Sequence, residues 1–170
     1  MTQASDAATR LLAKMAKEMN DSSAKVTKSA TRLEKMSGQS VQRRIRALTA
    51  SSRVIHKHAQ RMAKLEARYR LEIEAMLGNS RRMIETAPPD DDIELLASST
   101  AEMRESAVTS RAAMAGYQDT TQANRAMNIS QDVNGACDEL VAVLSRVIEV
   151  SDNVISYCDW VAGVAAGQQS

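Results

Sequence analysis

The sequence has no phenylalanine, one tryptophan, three tyrosines and two prolines in 170 residues. A packed sheet needs runs of aromatic and β-branched residues, and these are missing from most of the chain, where helix formers dominate instead. The expected class is therefore all-α. No apolar run approaches the roughly 20 residues of a membrane span, and the opening MTQASDAATR lacks the apolar segment of a signal peptide. A cytoplasmic protein is the resulting expectation, with signal-free secretion left open. Catalytic signatures are also scarce. There is no glycine-rich phosphate loop, no G-x-S-x-G and no Glu-x-x-His or His-x-x-x-His pair. We expect no enzyme, no cofactor and no metal. The two cysteines, Cys137 and Cys158, stand three heptads apart, about 31 Å along one helix, and cannot bridge each other there. Small buried hydrophobes in a reducing compartment is the expectation for both.

What the sequence does have is apolar or small residues at alternating three and four spacing, the mark of helices joined along a seam. Leu12, Met15, Met19, Ser22, Val26, Ser29, Leu33 and Met36 form one stripe, and Val41, Ile45, Leu48, Ser52, Ile55, Ala59, Met62, Glu66, Tyr69, Ile73 and Met76 form a second, about two residues out of phase. The break lies at Met36 to Ser40, with Gly38 available for a left-handed cap and Ser40 for the next N-cap. Pro88 and Pro89 end the second helix, and Asp90 to Asp92 are placed to cap a third. That third stripe is thin and slips after Gly116. A rich apolar face follows from Ile129 to Val161, wide enough to need cover on more than one side. These signals predict a single domain, residues 1–170, built as an antiparallel up-down bundle of about four long helices near 5–36, 41–85, 91–116 and 131–163, with coiled-coil-like heptads and a frayed tail from 164 to 170. The alternative is a rod in which the third and fourth segments stay continuous, needing dimerisation to cover its face. An elongated, oligomeric form is kept open with it.

A net charge of +1 conceals a division. Residues 1 to 86 hold 18 Lys and Arg against 8 Asp and Glu, a net +10, whereas residues 87 to 170 hold 4 against 13, a net −9. In a bundle the basic helices can lie beside the acidic ones. Heptad positions place Arg43, Arg46, Arg53, Lys57, Arg61, Lys64 and Arg68 on the outward face of the second helix, a stripe of roughly 39 Å that packing would leave unneutralised. Such a stripe attracts an acidic protein surface, nucleic acid or anionic lipid through the same field. Nucleic acid is the weaker expectation, because aromatic stacking residues and recognition motifs are missing. His56 and His58 are about 200° apart on the helix, flanking the seam, and cannot share a metal. The acidic pairs Glu102/Glu105 and Asp138/Glu139 read as solvated face. Together these observations favour a scaffold, adaptor or assembly component that works by protein-protein association, chiefly with itself. A nucleic-acid module using the basic stripe is the first alternative. The second is a helical sensor whose loosely packed Met/Ser seam holds an apolar ligand.

Overall fold

The computed structural model describes residues 2–36, 38–86 and 93–168, and all four of its elements are helices: α1 Thr2–Glu34, α2 Val41–Thr86, α3 Ile93–Ala126 and α4 Gln131–Gln168. They pack as an up-down bundle. Around its circumference the order is α1, α2, α4, α3, and α1 meets α3 only thinly. Among the described residues, no close backbone contact joins α1 to α4 or α2 to α3, so these pairs stand on the diagonals. Because α2 and α3 are diagonal, the neighbours α2 and α4 run parallel while α1/α2 and α3/α4 run antiparallel.

The core follows the apolar stripes. Leu11, Met15 and Met19 of α1 and Ile55, Met62, Tyr69 and Ile73 of α2 are buried, but α4 contributes most, with Leu140, Val143, Leu144, Val147, Val150, Val154 and Val161 all nearly inaccessible to solvent. Alternation of Val143 and Leu144, then Val150 and Ser151, then Tyr157 and Cys158 buries three heptad positions instead of two. A stripe that wide can be covered because α2 takes one flank of α4 and α3 the other. Both thiols lie within it, free and buried.

The ends have identifiable causes. Gln39 N–H donates to the Met36 carbonyl at 2.9 Å, and the Ser40 carbonyl takes the first helical bond of α2 from Arg44 N–H at 3.2 Å. Gly38 does not adopt the left-handed conformation expected of it, since no described glycine has positive φ. The left-handed cap falls instead on Asn128, at φ 48°, the residue type other than glycine that tolerates it best. Ser130 then caps α4: its hydroxyl accepts from Val133 N–H at 3.3 Å. This break rules out the continuous rod. The segment Pro88 to Asp92, expected to stop one helix and cap the next, lies outside the described residues.

Two expected boundaries are corrected. Helix α3 does not end near Gly116 but runs on to Ala126, and α4 does not stop at Gly163 but is helical to Gln168. For α3 the reason is a polar ladder along α4. Arg104 Nε donates to Asp159 at 2.7 Å, Arg111 Nε to Asp152 at 2.6 Å and Gln118 Nε2 to Ser145 at 2.7 Å, and Arg125 completes the series on Asp138. Each rung lies one heptad from the next on both helices. The stretch from 117 to 126 is poor in apolar residues, yet its two rungs tie it to α4.

Candidate interaction surface

Helix α2 is the longest element, about 69 Å at 1.5 Å per residue. Ser52 Oγ donates to the Asp132 carbonyl at 3.3 Å, which sets the second residue of α4 beside Ser52. Residues 41–50 of α2 therefore project beyond the start of α4. Their first six residues are all exposed, including Val41 and Ile45, which the seam pattern placed in the core. At the hairpin tip they lack the cover that α4 gives the rest of α2.

All seven residues of the expected stripe, Arg43, Arg46, Arg53, Lys57, Arg61, Lys64 and Arg68, are exposed. Two of them are engaged. Arg43 donates to the Gln39 side chain at 2.8 Å, and Arg61 reaches the Glu18 carboxylate of α1 at 3.3 Å. Arg61 therefore faces α1 and is not purely outward. Among the described residues the other five have no ion-pair partner, and α1 adds exposed Arg10, Lys14, Lys17, Lys25 and Lys28 to the same hairpin.

The histidines do flank the seam, one toward each neighbour. His56 Nδ1 donates to Glu139 of α4 at 2.6 Å, and Gln60 Nε2 donates to its other ring nitrogen at 2.8 Å, which fixes the tautomer. His58, almost fully buried, donates to Glu18 of α1. Glu139 and Asp138 are thus inter-helix partners as well as solvated face. The acids that pair with these histidines lie 83 and 40 residues away in sequence, so nothing local to the histidines points to them.

Basic α2 does lie beside acidic α4, but few opposite charges meet across that contact. Among the described residues one Arg–carboxylate pair crosses between the halves, an inverted one in which Arg146 of α4 donates to Glu66 of α2 at 3.2 Å, beside the His56–Glu139 hydrogen bond. The Arg-Asp rungs spend three of the four cations of residues 87–170 within their own half. What remains is a bundle with a basic α1/α2 side and an acidic α3/α4 side, where Glu102, Glu105, Asp119 and Glu149 are exposed and without an ion pair among the described residues. Such a separation produces a field well beyond the reach of any single pair.

A second feature was not located by the seam pattern. Where α1 and α3 diverge, a cleft of about 280 Å³ opens between them, floored by α2 and α4. Among the described residues no three His, Cys, Asp or Glu side chains cluster as a metal site, and no helix is long and apolar enough to cross a membrane. The chain matches no protein-family model, no curated protein and no solved structure.

Proposed function

We propose that this protein acts by association with protein surfaces, as a non-catalytic scaffold, adaptor or assembly component, and that its first partner is another copy of itself. The observation that carries this reading is the pair of unneutralised faces: Arg46, Arg53, Lys57, Lys64 and Arg68 on one side, and Glu102, Glu105, Asp119 and Glu149 on the other. Two different patches that complement each other make a heterologous contact, which propagates unless a rotation closes it into a ring. Steering by opposite charges raises the encounter rate and is screened by salt.

Sedimentation velocity over a dilution series gives the test. At low ionic strength the weight-average mass should rise with concentration, and at about 0.5 M salt it should fall to the monomer. The triple variant Arg53→Glu, Lys57→Glu, Lys64→Glu should remain monomeric, as should Glu102→Lys, Glu105→Lys, Glu149→Lys. Mixed together, the two variants again present faces of opposite charge to each other, and should associate where neither does alone. A wild-type monomer at every concentration in low salt would overturn the reading. If that monomer also retarded duplex DNA, with a salt slope that vanished in the first variant, nucleic-acid binding would take its place.

A further inference from the structure

We propose that the cleft between α1 and α3 is a binding site for a small uncharged molecule with a largely apolar body and one hydroxyl-type donor. The site arises from the sequence. Seam positions that elsewhere carry Leu, Met or Val hold Ser22 on α1 and Thr121 on α3, both buried, and these short side chains cannot fill the space between their helices. The gap is therefore continuous with the core. Its floor is Met19, Ile55, Cys137 and Leu140, all nearly inaccessible to water.

Chemistry of the lining defines the ligand. A quarter of the chain is charged, yet none of the described residues lining the cleft carries a charge. An ionised ligand would be desolvated there without a partner, whereas a neutral apolar one would exchange water for methyl and thioether contacts. A dry cavity of about 150 Å³ accepts one benzene ring, so 280 Å³ suits a body of about two rings. Orientation comes from the polar rim. The hydroxyls of Thr31, Thr120 and Thr121 already donate to the carbonyls of Thr27, Gly116 and Tyr117 at 3.1, 2.9 and 2.8 Å. Their lone pairs remain free to accept from a ligand hydroxyl, while the hydroxyls of Ser22, Ser23 and Thr27 in the same lining can donate. Asn124, half-buried in the same wall, offers a further carbonyl acceptor.

Methionine-methyl spectra of the full chain, titrated with 2-naphthol and separately with 2-naphthoate, test this directly. Met19 lies in the floor and Met127 at the mouth, while Met62 is sealed in the core and Met83 is exposed elsewhere. Expected for naphthol are saturable shifts at Met19 and Met127 with Met62 and Met83 unmoved, and for naphthoate no saturable shift. Thr121→Leu fills the cleft and should weaken naphthol about tenfold or more, equivalent to about 1.4 kcal/mol. The charge-reversed Arg53→Glu, Lys57→Glu, Lys64→Glu chain should bind as wild type, which separates this site from the association surface. The assignment is overturned by shifts that do not saturate, that include Met83, that naphthoate reproduces, or that persist in a folded Thr121→Leu chain. If that variant does not fold, the methyl map of the wild-type chain decides alone.

Discussion

Glu66 shows how costly a single seam residue can be. It occupies a core heptad position and is 3% exposed. Arg146 Nε meets one carboxylate oxygen at 3.2 Å, but Arg70 Nε stands 3.6 Å from the other, which is buried without a hydrogen bond. Attraction within such a pair seldom exceeds the cost of desolvating it, so the pair serves alignment of α2 on α4 more than stability. Arg146→Met strands the carboxylate and should cost about 1 to 2 kcal/mol, moderated because the guanidinium is half-exposed. Glu66→Leu should be neutral or stabilising by about 1 kcal/mol. Urea midpoints decide between these outcomes, and a Glu66→Leu loss as large as that of Arg146→Met would show that the ion pair itself holds the interface.

Cys158 carries a second residue-scale consequence. Burial raises its thiol pKa from 9.0 to about 11, with Asp159 adding to the rise and Arg104 opposing it. The folded state thus keeps a proton that the unfolded chain loses first. This contribution to stability is fully present below pH 9.0 and is lost as pH rises through about 11. Denaturation midpoints measured across that window should fall with pH, and Cys158→Ala should flatten the slope. An unchanged slope would assign the alkaline loss to other groups, of which Tyr69, raised to about 12 by burial, is the next to examine.

At the scale of the element, α3 and α4 are held by different means on the same interface. Helix α4 brings a wide apolar face, and truncating its centre should be expensive: Leu144→Ala should cost about 3 kcal/mol in chemical denaturation, against a few tenths for Leu71→Ala on exposed α2. Helix α3 brings few large apolar residues and relies on the heptad ladder for register. Asp152→Arg should lower the thermal midpoint, and the swap with Arg111→Asp should recover most of the loss; a swap no better than the single change would deny the rung its role. This also explains what was legible. Apolar spacing located α1, α2 and α4 and the break before α2, but for α3 it stopped at Gly116 although the helix continues. The missing signal was present in another alphabet: Arg104, Arg111, Gln118 and Arg125 recur every seven residues, as do Asp138, Ser145, Asp152 and Asp159. A polar heptad carries no information about burial, so its meaning depends on the facing helix.

At the scale of the whole molecule, circumferential order controls both charge and openness. Helix α1 borders α2 closely and α3 thinly. Hydrogen exchange should therefore begin in α1 and reach the middle of α4 last, at the free energy of global unfolding. Simultaneous exchange of the two segments would indicate that the weak α1/α3 side is closed in solution. The same order keeps the basic hairpin on one side and the acidic hairpin on the other, the arrangement on which the proposed association depends.

Heptad spacing and composition determined by themselves that this chain is helical, where most of its turns fall, and that its cations crowd outward from α2. These are local properties, fixed by the side-chain period of a helix and by the cost of burying charge. Tertiary structure decided which helices are neighbours, and with that the acid each histidine meets, the inverted Glu66–Arg146 pair, the polar rungs along α3 and the cleft left by Ser22 and Thr121. Each of these joins residues far apart in the chain, and periodicity along one helix contains no term for the identity of the helix it faces.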